Sequence, residues 1–255
     1  MENKKTKKKK IDIVLPNYNS HKFIVKTIKS INDQSYLDWS LTIVDDNSNQ
    51  ETKNILKKFA KNKKIKIYWL KKNQGAGFCR NYAIERSRSP YIAFIDSDDI
   101  WRKNKLKDQI NFMLKNKHVF SYTYYETFGD KKKFIMPPTS FDYLSFIHNT
   151  SIATSTMMVK RSVLKNIKFS KTKICEDYFF KCKLLKKVNH AFCLKKNLTK
   201  YRISQNSLQS SNLKNFFWIW KINKNYNKLN FLDNFFSLLN ISLNSIKKYG
   251  GKNFF

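Results

Sequence analysis

Apolar residues in the first hundred positions fall into short runs separated by stretches of helical periodicity. Residues 11–15, 41–44, 65–70 and 91–95 are rich in Ile, Val, Leu and aromatic side chains and predict four strands. Between them, residues 22–32 place Phe23, Ile24, Thr27, Ile28 and Ile31 on one helical face. Ser48 with Glu51 three positions on is a capping-box pattern opening a helix to about Ala60. A third helix follows Gly75 and Gly77 and reaches about Arg86. This alternation predicts an α/β protein built on a mostly parallel central sheet flanked by helices. Strands lacking polar alternation are covered on both faces.

After Asn116 the rhythm changes. Residues 119–125 and 133–136 flank Gly129-Asp130 and predict a hairpin closed by Pro137-Pro138. Residues 154–159 read as a strand, 161–167 as a short helix and 176–187 as a longer one. From Leu213 onward, Phe216, Phe217, Ile219 and Trp220, then Phe231, Leu232, Phe235 and Phe236, predict two amphipathic helices. Four segments result: a basic, disordered start (1–10), a first half (11–116), a second half (117–210) and an amphipathic helical C-terminal extension (211–255).

The chain has 255 residues, 41% of them hydrophobic, enough for a full core and unlike a disordered chain. Its 51 Lys+Arg against 18 Asp+Glu give a formal charge of +33. That balance attracts polyanions, so a basic nucleic-acid-binding or membrane-docking protein without catalytic activity is the alternative to any enzyme reading. The lysines, however, are spread over the whole chain amid abundant asparagine, which reads as compositional bias, and no nucleic-acid module is recognisable. Cys79, Cys175, Cys182 and Cys193 match no metal-ligand or disulfide spacing, so reduced, buried thiols are expected. Residues 4–10 are basic enough to begin an export signal, but the apolar run after them stops at Pro16. No apolar stretch approaches the roughly 18 residues of a spanning helix. The expected location is cytoplasmic, with the C-terminal helices either folding onto the core or making peripheral contact with the inner face of the membrane.

Acidic residues are scarce, so their clustering carries information. Asp96 and Asp98 stand two apart at a strand end, where both carboxylates can converge on one divalent cation or can instead cap the next helix. Asp45-Asp46 end another strand, for ligand binding or for turn formation. Pro16-Asn17-Tyr18-Asn19 ends the first, where the ring can stack on a base or merely belong to a turn. Asn73-Gln74-Gly75-Ala76-Gly77 with Arg80-Asn81 ends the third; its glycines allow close backbone approach, and Arg80 suits a phosphate. Four successive strands thus deliver polar groups to one edge, where open α/β sheets bind ligands.

Taken in order, Pro16-x-Tyr18-Asn19, Asp45-Asp46-x-Ser48, Asn73-x-Gly75 with Arg80-Asn81, Asp96-x-Asp98-Asp99, Glu176-Asp177 and Tyr201-Arg202-x-Ser204-x-x-Ser207 resemble the family 2 glycosyltransferases. The resemblance covers the chain to about residue 210. It implies a GT-A fold with a nucleotide-sugar-binding half (11–116) and an acceptor-binding half (117–210). It implies Mn or Mg as the divalent metal, a nucleotide-diphosphate sugar as donor, and a saccharide or lipid-linked acceptor in cell-surface polysaccharide or glycolipid synthesis. By motif position, Pro16, Tyr18 and Asp46 hold the nucleobase with Asp45 beside them, and Asn73 and Gly75 belong to the same donor site. Arg80 lies near the base and phosphates, Asp96 touches ribose or metal, and Asp98 binds the metal. Asp177 matches the catalytic base, with Glu176, Tyr201 and Arg202 near the substrate. Tyr82 replaces a frequent glycine, and Ser204 stands where many relatives have histidine. The QxxRW signature of polymerising members is absent, so transfer of a single sugar with inversion is implied, with no specific nucleic-acid partner.

Overall fold

The computed structural model describes residues 10–172, 174–204 and 212–249. The expectations for residues 1–9 and for Ser207 lie outside the described residues. Strands β1 (Ile11–Asn17), β2 (Trp39–Asp45), β3 (Ile65–Trp69) and β4 (Tyr91–Phe94) pair in parallel, linked by α1 (Ile24–Asn32), α2 (Gln50–Phe59) and α3 (Ala76–Arg86). All seven residues of β1 are buried. Ile11, Ile13 and Leu15 pack on one face of the sheet with Tyr91, Ala93 and Ile95, whereas Val14, Ile92 and Phe94 pack on the other. A sheet covered on both sides requires such runs, which is why these strands were readable.

The same sheet continues past residue 116. After β5 (Ile100–Trp101) and α4 (Lys105–Lys115) come β6 (Phe120–Gly129), β7 (Phe134–Ile135), β8 (Ser140–Phe141), α5 (Tyr143–His148), β9 (Met158–Lys160), α6 (Glu176–Val188) and β10 (Ala191–Ile203). The main path runs β3-β2-β1-β4-β9-β6-β10-β5. Only β9 and β5 run antiparallel to their neighbours on that path. The hairpin expected around Gly129-Asp130 forms between β6 and β7. Gly129 has φ +94, and a Cβ there would lie 2.5 Å from the Ile203 carbonyl oxygen. Helices α7 (Asn212–Ile222) and α8 (Phe231–Tyr249) complete the described chain, joined by a π-helical turn at Asn223–Asn227. All four cysteines are free and buried, as expected.

Three local expectations are corrected. Ser48 does not cap α2: Asn49 does, accepting from the Thr52 N–H at 3.0 Å. The Ser48 hydroxyl is occupied by the Asn19 N–H (2.9 Å) and the Asn17 side chain (3.3 Å). Of the strand expected at 154–159, Thr154–Thr156 form a 3-10 turn and only Met158 onward pairs. The helix expected at 161–167 is a 3-10 turn at Arg161–Leu164. Helix α4 and strand β10 were not anticipated.

Asp12 pins the loop entering β4. Its carboxylate accepts from the N–H groups of Arg88 (2.7 Å) and Ser89 (2.8 Å) and from the hydroxyls of Ser89 and Ser40. Burial opposes its charge, yet these bonds hold the carboxyl below its ordinary range. Asp12→Ala leaves the buried Ser89 N–H and the part-buried Arg88 N–H without their acceptor and is expected to cost about 1–3 kcal/mol in denaturant unfolding at neutral pH. Because the folded-state pKa is depressed, this contribution is present above about pH 4 and lost as pH falls further; the wild-type and variant stabilities should converge in acid.

Candidate active site

Strands β1 and β2 end side by side, with Asn17 opposite Asp45. Asp45 is fully buried and accepts from the Asn17 side chain (2.7 Å) and the Ser48 N–H (3.0 Å). Asp46 accepts from the N–H groups of Gln74 (2.7 Å) and Gly75 (2.8 Å), and the Asn73 side chain donates to its carbonyl at 3.4 Å. The carboxylate thus shapes the loop before α3, where Gly75 adopts φ +87. Pro16 is buried within β1, and Tyr18, just past its end, leaves half its surface exposed. Pro16, Tyr18, Asp45, Asp46, Asn73 and Gly75 thus meet at one corner of the sheet edge.

Arg80, from α3, connects that corner to a second one. Its guanidinium reaches Asp96 at 2.6 Å and Glu176 at 2.8 Å and lies 5.2 Å from the Phe169 ring. Only 5% of the residue is exposed. Burial alone would weaken its charge, but the two carboxylates hold it firmly protonated. Glu176 responds more to burial than to Arg80, and its carboxyl is raised. Close approach of α3 to α6 needs Gly77, where a Cβ would meet Ser170 O at 2.8 Å and Glu176 Cγ at 2.9 Å.

The turn after β4 carries Asp96, Asp98 and Asp99. Thr27 of α1 supports it by donating to the carbonyls of Ser97 (3.0 Å) and Asp99 (2.8 Å). The Asp96 N–H donates to Ser155 Oγ at 2.9 Å. Burial and the neighbouring Asp96 push Asp98 up to about 6, with Arg202 opposing. Burial, Asp98 and Asp96 raise Asp99 further. Arg202 arrives from β10 with its ring-like guanidinium between Phe23 (4.1 Å) and Phe128 (4.3 Å), donating through Nε to the Asp98 carbonyl and through its backbone to Asp99. Tyr201 packs edge-on against Tyr125.

Asp177 lies in the first turn of α6, where a negative charge complements the helix dipole. It accepts from Lys181 one turn on (2.6 Å), from Thr154 (3.1 Å) and from the Tyr178 N–H (2.8 Å). Burial would raise its carboxyl, but Lys181, aided by Arg80 and Thr154, brings it down to about 2. Lys181, Thr154, Ser155 and Phe169 were missed in the sequence. For Lys181 the i+4 spacing from Asp177 was a usable signal; the other three had none.

The donor set fits a divalent cation. Asp96 and Asp98 offer hard oxygen ligands, and one buried oxygen of Asp99 has no hydrogen-bond partner. When ionised, Asp96, Asp98, Asp99, Glu176 and Asp177 outnumber Arg80, Arg202 and Lys181 by two charges, the deficit a divalent ion makes good. Among the described residues no group of three His, Cys, Asp or Glu side chains is placed to hold a metal ion by itself, so a cation here would need further ligands from substrate or water.

The profile of Glycosyl transferase family 2 matches residues 12–182. The chain is 32% identical over 243 residues to TuaG of Bacillus subtilis, a glycosyltransferase provisionally named for teichuronic acid biosynthesis, covering 93% of this chain and 96% of that one. It is 32% identical over 247 residues to the Escherichia coli UDP-Glc:alpha-D-GlcNAc-diphosphoundecaprenol beta-1,3-glucosyltransferase WfgD, covering 94% of each. The crystal structure of S. aureus TarS 1-349 in complex with UDP-GlcNAc superposes with a TM-score of 0.73 at 22% identity, over 93% of this chain and 73% of that one. The shared architecture is the GT-A fold implied by the motifs. Matched in sequence along most of its length and in fold across both halves, the chain belongs to glycosyltransferase family 2 and is a glycosyltransferase.

Proposed function

We propose that this glycosyltransferase moves a single sugar from a nucleotide-diphosphate sugar to a hydroxyl of a saccharide or lipid-linked acceptor, with inversion and with a divalent metal. The setting proposed is polysaccharide or glycolipid synthesis in the cytoplasm, at the inner face of the membrane. The names of TuaG and WfgD support that setting. One observation carries the reading: a single buried guanidinium ties Asp96, beside Asp98, to Glu176, beside Asp177. A metal-ligating pair and a base are thereby held at one site.

In this reading Tyr18 offers its exposed ring to the nucleobase, in a corner walled by Pro16, Asp45, Asp46, Asn73 and Gly75. Asp96 and Asp98 hold Mn or Mg, which when bound neutralises charge on the diphosphate. Asp177 accepts the acceptor hydroxyl's proton as that oxygen bonds to the anomeric carbon. The carbon–oxygen bond to the diphosphate breaks on the opposite face, its electron pair leaving with the diphosphate. Glu176 acts through Arg80 rather than on substrate. Arg202, beside Asp98, faces the anionic part of the donor, with Tyr201 next to it.

Four outcomes test this. Incubated with a panel of nucleotide sugars, the protein should turn one over only with Mn or Mg, and Asp98→Asn should lose that dependence together with most turnover. Asp177→Asn should lower kcat by about 10²–10⁴-fold while leaving donor KM nearly unchanged; equal loss in both would remove it from the chemistry. For the bridge itself, Arg80→Met strands two partly buried carboxylates, and unfolding at pH 8 should register a loss of up to about 3 kcal/mol. Protonation relieves the stranded groups, so the deficit should shrink at pH 5. Finally, Lys181 keeps Asp177 ionised far into acid. In Lys181→Met the base protonates at higher pH, so the acidic limb of the pH–rate profile should move toward neutrality.

A further inference from the structure

Helix α8 is turned inside out. Its exposed apolar residues, among them Phe231, Phe235, Phe236, Leu239, Leu243 and Ile246, fall within one stripe at helical spacing. Phe231 is 70% and Phe236 52% exposed. The opposite face, which the fold buries, is mostly polar. Asn234 and Ser237 are fully buried and bond with Asn223 at 3.1 Å each. Ser237 also donates to the Ile147 carbonyl (2.7 Å), and Asn244 donates to the His148 carbonyl (3.0 Å). The helix is therefore anchored by hydrogen bonds together with Ile241, which is buried in the core, and Leu238 beside it, while the exposed hydrophobic stripe contributes little to its attachment.

The stripe extends onto α7. The Trp220 and Phe231 rings meet at 5.4 Å, and Leu213 and Phe217 are 83% and 61% exposed. Charge accompanies it: residues 212–249 hold six lysines against one acid, Asp233. Lys214, Lys221, Lys224, Lys228 and Lys247 are exposed. No described helix is long and apolar enough to cross a membrane.

We propose that the outer face of α7 and α8 docks onto an anionic lipid bilayer, with the aromatic and Leu side chains inserted at the interface and the lysines among the headgroups. A second copy of this chain fits less well, because it would bring the same lysines against themselves. The orientation has a consequence for the site. Tyr178 of α6 donates to Asn223 at 2.7 Å, and Phe179 meets Tyr226 edge-on at 4.9 Å, so the docking helices rest on the helix whose first turn carries Asp177. A docked molecule holds that end of the site at a fixed distance from the headgroups.

The proposal does not depend on the residues assigned to transfer. Its test is flotation of the full chain with vesicles of phosphatidylglycerol and phosphatidylcholine, or of phosphatidylcholine alone. Partitioning should be more than about tenfold stronger with phosphatidylglycerol, since each lysine near an anionic surface is worth about fivefold. The variant F231S/F235S/L239S/L243S should keep its thermal unfolding transition and its donor hydrolysis in solution but lose at least about tenfold in partitioning. Should it fail to fold, Leu239→Glu alone serves, on an exposed position. Absence of wild-type flotation overturns the proposal. So does unchanged flotation of the variants, which would assign binding to lysines elsewhere in a +33 chain. A concentration-dependent dimer that the substitutions dissociate, without flotation, would make this face an interface between copies instead.

Discussion

A guanidinium removed from water is tolerated only where carboxylates replace the lost solvation, and Arg80 obtains them from two distant parts of the chain. Asp96 is delivered by β4 and Glu176 by α6, while Arg80 itself stands on α3. Moving any of the three elements would uncover a buried charge. The contact also depends on a missing side chain, because any Cβ at Gly77 would hold α3 away from Ser170 and Glu176. The loop before α3 is fixed in turn by Asp46 at the end of β2. The ends of β2 and β4 and helices α3 and α6 are thus locked into one arrangement by charge, in a sheet whose hydrophobic packing alone would not set the relative positions of its polar edge residues.

The electrostatics explain why acids accumulate there in a chain otherwise so basic. Each positive group is shared: Arg80 between Asp96 and Glu176, Arg202 between two rings and the Asp98–Asp99 turn, Lys181 with Asp177. The compensation is uneven. Asp177 has a dedicated lysine and stays ionised, whereas burial, with Asp96 close by, raises the carboxyls of Asp98 and Asp99. Two carboxylates in different electrostatic settings are suited to different tasks. The fully compensated one can keep its charge through a range of pH, and the under-compensated pair gains most from a cation.

What could be read from the sequence follows from which forces act locally. Strands β1 to β4 announce themselves because burial on both faces leaves little room for polar residues. The carboxylates at their ends are legible for the same reason: the apolar run stops and the acid follows. Strand β10 is illegible because Lys195, Lys196 and Asn197 interrupt it, where the pairing with β6 shifts register; its existence depends on β6, some 70 residues earlier, rather than on its own pattern. Likewise Ser48, with Glu51 three positions on, reads locally as the cap of α2. Asn17 and Asn19 occupy Ser48, so the role passes to Asn49. Arg80 was legible as a cation near phosphate-binding features, but its partners lie 16 and 96 positions away, and no local rule joins them.

Helix α8 shows the same limit in a sharper form. Its amphipathic pattern is plain from the sequence, and the default inference is that the apolar face packs inward. The surface it packs on decides otherwise. Helix α5 ends at His148, leaving terminal carbonyls without partners in their own helix. Ser237 and Asn244 satisfy those of Ile147 and His148, and Asn240 bonds the His148 ring. The buried site is a polar one, so the polar face must turn toward it, and helical geometry then directs the phenylalanines and leucines outward. Amphipathicity fixes which residues share a face, while the hydrogen-bonding needs of the neighbouring helix end determine which face meets the protein.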